Sequence, residues 1–164
     1  MNERLIRVNK ILKHPGFLAC VRQVEELEKD RLFCGHGMKH LLSVARLAYI
    51  ENLEEGHGIS KERIYATALL HDMGRLKEYR TGEDHHRAGL AMIEQILKEC
   101  DFREPERVEI LEAVAEHGNP QMRNAKGLKG LLYRADKRSR MCWNCAAEAQ
   151  CEWSKDKKNL SLSV

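Results

Sequence analysis

The sequence predicts an all-α protein, a compact bundle of several helices, and three observations carry that expectation. Hydrophobic residues make up 43% of the 164 positions but aromatic residues only 5%, so the apolar content is aliphatic, the kind that packs between helices. Only three prolines interrupt the chain. Apolar residues recur every three or four positions along most of its length, which lays them on one face of a helix.

Leu5, Ile6, Val8, Ile11 and Leu12 outline a first amphipathic helix. His14-Pro15-Gly16 ends it, because proline removes an amide donor and glycine loosens the backbone. The period restarts from Phe17 to Asp30 through Leu18, Val21, Val24 and Leu27. A third helix over about 36–53 has the broader apolar face of Leu41, Leu42, Val44, Ala45, Leu47 and Ala48, closed by Glu54-Glu55-Gly56-His57-Gly58. Ser60 is a good N-cap for a fourth, which runs through Ile64-Tyr65-Ala66-Thr67-Ala68-Leu69-Leu70 and ends at His71-Asp72. From Gly74 to Asp84 there are charges and no sustained period, so the stretch reads as a surface loop that could form the mouth of a site.

Helical spacing returns from His85 to Cys100 with Ala88, Ala91, Met92, Ile93, Ile96 and Leu97. Pro105 suits the first turn of the next helix, which carries Val108, Ile110, Leu111, Val114 and Ala115 to His117 before Gly118 stops it. Leu128 to about Met141 is the last long core helix, and Lys155 to Val164 is a polar tail, frayed or docked. The length fits a single domain over 1–164: two N-terminal scaffold helices over 1–30, a core over about 34–140 and a cysteine-containing extension over 141–164.

Lys and Arg total 28 and Asp and Glu 25. A net charge of +3 is too small to argue for a nucleic-acid or membrane surface. No apolar stretch is long enough to span a bilayer, and Met1-Asn2-Glu3-Arg4 leads into an amphipathic segment rather than a signal peptide, so a cytoplasmic location with reduced cysteines is expected.

The pair His71-Asp72 is the most informative feature. It puts two different metal-ligand side chains where a core helix stops and can deliver them into a pocket. His40 stands upstream; His85, His86, His117 and Asp136 follow. Neutral imidazoles mixed with carboxylates suit divalent metals that keep positions open for water and substrate. His14 and His57 lie beside turn signals and read as structural.

The order H…HD…H…H…D, from about His36 to Arg140, resembles the HD superfamily of metal-dependent phosphohydrolases. The resemblance implies an HD-domain helical bundle in which His40, His71, Asp72 and Asp136 hold one metal, while Asp72 bridges to a second held with His85 and His117. His85 is taken rather than His86 because it stands four positions before Gly89, as in many members with a second site. His86 is left as a phosphate contact or a solvated residue, and His36, one turn before His40, could reach the same site. The metals would be one or two divalent ions of iron, manganese, zinc, nickel or cobalt. Asp72 and the metals would activate water to cleave a phosphoester or phosphoanhydride, a nucleotide being the expected small phosphorylated substrate. Arg75, Lys137 and Lys77 are candidate phosphate contacts, with ordinary surface charge as the alternative. The compact bacterial branches with an extra His, such as the diadenosine tetraphosphate hydrolases, look most similar. The rival reading is a non-catalytic sensor module that binds metal or nucleotide on the same fold.

Cys142-Trp143-Asn144-Cys145, with Cys151 six residues on, has the close spacing of a zinc or iron–sulfur site. Cys34 is a candidate fourth ligand, because convergence of His40 and Asp136 would bring their helices together. The alternatives are small buried hydrophobes or a redox-sensing dithiol. Cys20 and Cys100 fall on helical periods and read as core.

Overall fold

The computed structural model describes residues 5–163; the reading of Met1 to Arg4 and of Val164 lies outside them. Nine α-helices and no strand are present among the described residues. They are α1 Ile6–Lys13, α2 Pro15–Leu27, α3 Met38–Glu54, α4 Lys61–Leu70, α5 Arg75–Thr81, α6 His85–Ala88, α7 Leu90–Glu99, α8 Glu104–Glu116 and α9 Gly127–Arg138.

The core forms around α4, which packs against α1, α3, α8 and α9. Ile64, Ala66, Ala68, Leu69 and Leu70 are buried on more than one side, which is why α4 reads as a solid apolar run rather than a stripe. Small Ala66 and Ala68 let neighbouring helices approach, and the buried Thr67 hydroxyl donates back to Arg63 O at 2.7 Å. Ser60 caps α4 as expected, its Oγ accepting from Arg63 N at 3.3 Å. The connection before it is pinned by Asn52, which exchanges two hydrogen bonds with Ile59 at 3.0 and 3.1 Å.

Two ionic clusters set the helix positions. Buried Glu51 of α3 receives Arg134 at 2.6 Å and Arg138 at 2.8 Å from α9, fixing the two helices that carry His40 and Asp136. Arg7 of α1 meets Glu62 of α4 at 2.6 Å and Glu106 of α8 at 2.8 Å.

The segment from Gly74 to Asp84 is not a loop: it contains α5. Leu76 and Tyr79 pack on the core, Arg75 and Glu78 pair one turn apart, and Gly82 ends the helix at φ 77°. Seven residues are too few to show a period. The helix expected over His85 to Cys100 is broken at Gly89, whose backbone is pressed against that of Gly74. At the other end α9 stops at Arg138 rather than Met141, since Asn159 takes the Arg138 and Arg140 carbonyls as acceptors. Those bonds dock the tail as far as Asn159 across single turns at Cys142–Asn144 and Glu148–Gln150.

Burial works against a charge on Glu106, but Arg7 and the Arg103 amide outweigh it and bring its pKa from 4.5 down to about 2. A carboxylate whose pKa is depressed in the folded state stabilises above its unfolded value and stops doing so as the pH falls through the folded one. Glu106→Gln should therefore cost about 1–2 kcal/mol at neutral pH. Chemical denaturation should show the gap to wild type closing between pH 4.5 and about 2.

Candidate metal centre

Because α4 is held on several sides, its C-terminal end is a fixed point in the fold. His71 continues the last turn and Asp72 follows it, with 0% and 4% of their surfaces exposed. His40 comes from the first turn of α3, Asp136 from α9, and His117 closes α8. His40 Nε2 lies 3.3 Å from Asp72 Oδ2 and 3.3 Å from Asp136 Oδ1. His71 Nε2 approaches the same two oxygens at 3.0 and 3.6 Å. The first expected group thus converges on one point from three helices.

Asp72 turns its other oxygen toward the second group, with Oδ1 3.7 Å from His117 Nε2. His85, His86 and His117 bring ligand atoms within 4.8 Å of one another. His85 is buried with its Nδ1 3.0 Å from Glu78 Oε1, whereas His86 is half-buried, paired with Asp84 and packed on Gly118.

The tautomers follow from the partners of Nδ1. His71 Nδ1 donates to Ala68 O at 2.7 Å and His117 Nδ1 to Val114 O at 2.6 Å. His40 Nδ1 donates at 3.2 Å to Ser139 Oγ, whose own proton goes to Asp136 O at 2.6 Å. His85 Nδ1 donates to Glu78. A neutral imidazole has a single proton, so all four Nε2 atoms carry lone pairs, and those of His40, His71 and His117 face the carboxylates. Lone pairs facing carboxylates repel, and His71 Nε2, Asp72 Oδ2 and His85 Nε2 are buried without a hydrogen-bond partner. A divalent cation is what this donor set fits.

Charge within the cluster follows the same geometry. Without a cation the carboxylates would draw a proton onto His71 Nε2 instead: burial opposes that protonation, yet Asp72 and Asp136 outweigh it and push the pKa up to about 10, so the lone pair becomes available where a cation takes the place of that proton. Burial tends to neutralise both carboxylates, but His71, His117 and His40 hold Asp72 well below the usual range, and Lys137, His40 and His71 do so for Asp136. Burial and Arg75 bring His85 down to about 4, and burial lowers His117. His85 and His117 therefore favour the neutral form, with Nε2 lone pairs free to coordinate.

Above the cluster opens a cleft of about 430 Å³. Arg75 lines it, its Nε 3.5 Å from Asp72 Oδ1 and its Nη1 donating to Glu78 at 2.8 Å. Lys137 lines it too, with Nζ 2.5 Å from Asp136 Oδ2 and 3.3 Å from the His117 carbonyl. His36 reaches the cleft, bonded to Glu28. Lys77 does not: it pairs with Glu83 at 2.9 Å on the surface. His14 caps α2, and His57 stands beside Glu51, both away from the cluster.

Four contributors escape a sequence reading. Glu78 orients His85 from a stretch without visible helical period, although its i+3 spacing from Arg75 is a signal that could have marked it. Ser139 orients His40, Arg140 donates to His40 Nε2 at 3.3 Å, and Glu28 holds His36. Phe33 and Trp153 also line the cleft, brought together from opposite ends of the chain.

The chain is similar to known proteins in sequence and in fold. A family model described as HD domain matches residues 37–141. An uncharacterized protein of Clostridium beijerinckii is 37% identical over 156 residues, covering 95% of this chain and 98% of its own. A crystal structure of a protein from an uncultured Thermotogales bacterium, described as a predicted HD superfamily hydrolase, is similar in fold. Its TM-score is 0.62 at 21% identity, over 98% of this chain and 88% of that one.

Elemental analysis of purified protein should find transition metal whose content His71→Ala and Asp72→Ala each lower. His117→Ala should lower the content only in part, since it leaves the His40, His71, Asp72 and Asp136 group intact. Folded His71→Ala and Asp72→Ala variants with undiminished metal would refute this placement.

Proposed function

This chain belongs to the HD-domain family of metal-dependent hydrolases, and on that premise we propose that it cleaves a phosphoester or phosphoanhydride bond of a small phosphorylated substrate, specifically a nucleotide. The observation that carries the reading is the set of imidazole lone pairs turned onto two buried carboxylates beneath a cleft rimmed with cations. We assign His40, His71, Asp72 and Asp136 to one divalent ion, and Asp72, His85 and His117 to a second. Iron, manganese, zinc, nickel and cobalt all suit such nitrogen and oxygen ligands. When bound, such ions act as Lewis acids that lower the pKa of water and offset charge on phosphoryl oxygens.

The chain's own residues do the rest. Asp72 has its two oxygens turned to different imidazole groups, so one carboxylate positions both halves of the centre. Arg75 is held by Asp72 and Glu78 at the cleft wall, where a guanidinium can grip a phosphate through paired donors. Lys137 is tethered between Asp136 and the His117 carbonyl, which holds its charge at the floor. Arg31, Arg140 and Lys157 add positive charge around the cleft. Phe33 and Trp153 on the cleft wall support a nucleoside, since aromatic side chains offer a base an apolar contact that phosphate alone would not need.

Hydrolysis of nucleotides should be abolished by chelation and restored by manganese, iron, cobalt or nickel. Asp72→Asn should lose it, because the amide cannot serve two cations as a carboxylate does. Arg75→Ala should mainly raise KM, by about tenfold or ~1.4 kcal/mol. Trp153→Ala should raise KM for a nucleotide and not for a simple aryl phosphate. Tight nucleotide binding without turnover under any of these metals would mark a sensor module instead.

A further inference from the structure

The hydrolytic centre makes no use of the four cysteines around the start of the C-terminal extension. Cys34 lies between α2 and α3, Cys142 and Cys145 bracket one tight turn past α9, and Cys151 follows the next. Cys34 borders two cavities, sharing the cleft with Cys151 and the neighbouring groove with Cys142 and Cys145. One upstream thiol therefore stands among three downstream ones, and all are free.

The backbone around them is tied together. Arg140 Nη1 donates to Gly35 O at 2.6 Å, joining the Cys34 segment to the root of the extension, and Arg31 Nε donates to Cys34 O at 2.9 Å within that segment. The Cys145 amide donates to Cys142 O at 3.3 Å, which folds the C-x-x-C pair into a turn. Hydrophobic burial does not hold this region: from Met141 to Ser163 only Cys142 and Ala147 are buried. Segments with so little core ordinarily rely on disulfides or a metal.

We propose that Cys34, Cys142, Cys145 and Cys151 form a tetrathiolate site for a structural zinc ion that clamps the C-terminal extension along the cleft. The C-x-x-C turn with distant partners has zinc-site spacing, whereas C-x2-C-x5-C matches neither common local ferredoxin pattern. Among the described residues no three of these sulfurs lie within 4.8 Å of one another, so binding draws the extension inward to zinc–sulfur distances of about 2.3 Å. The four thiols would lose their protons on binding, and the metal stays Zn2+ throughout.

This assignment does not depend on the hydrolase reading. In a His71→Ala/Asp72→Ala background, which removes one ligand of the first ion and the carboxylate shared by both, one zinc ion per chain should remain. Adding Cys142→Ser/Cys145→Ser should remove it, and Cys34→Ser should weaken it by about tenfold or more. Cobalt replacement should give thiolate charge-transfer absorption that the serine variants lack. Wild-type protein supplies a check independent of variant folding: a thiol reagent should find four cysteines unmasked together on zinc removal, while core Cys20 and Cys100 stay protected. Retention of the metal by folded serine variants, or thiols equally reactive with and without chelator, would overturn the site. Iron with acid-labile sulfide in place of zinc would overturn the metal assignment.

Discussion

Two buried carboxylates, Asp72 just past the end of α4 and Asp136 on α9, are the constraint around which the rest is organised. Asp72 and Asp136 are nearly out of contact with water, and a buried charge is tolerated only when other groups answer it. Three imidazoles, Lys137 and Arg75 do so, and each comes with its own support. Ser139 turns His40, the Ala68 and Val114 carbonyls turn His71 and His117, and Glu78 turns His85. These supports come from α4, α5, α8 and the end of α9, so the positions of the helices and the geometry of the centre are one problem. The Glu51 cluster between α3 and α9 belongs to it as well, because it sets the spacing between His40 and Asp136.

Much of this was legible in the residues alone. Long helices with a sustained period, such as α3 and α8, and a clear cap such as Ser60 on α4, announce themselves because one turn repeats the last. The histidines and aspartates were legible because few other arrangements place H, HD, H, H and D at helix ends. Short elements were not. The seven residues of α5 hold two core contacts, too few to distinguish a helix from a charged loop, and Glu78 was lost with it.

Contacts made across the chain were hidden for a different reason. The break at Gly89 arises because its backbone meets that of Gly74 fifteen positions earlier, and a methyl at Gly74 would overlap the His85 carbonyl. A glycine read in isolation suggests only a turn. Here it is the close approach that matters, since it lets α6 sit near enough for His85 to join His117. Arg140, Phe33 and Trp153 were likewise ordinary residues until the fold placed them beside one cavity.

The cleft has two walls of different origin. One is helical and carries the ionic centre; the other is the nearly coreless segment after α9, with Cys151, Trp153 and Lys157. Substitutions, insertions or deletions in that second wall away from its cysteines leave the packing of the bundle untouched, so the rest of its sequence is free to drift beside an unchanged ionic centre. Divergence among relatives of this chain is therefore expected to fall there first, with molecules sharing one ionic centre coming to differ in the size and shape of the cleft above it.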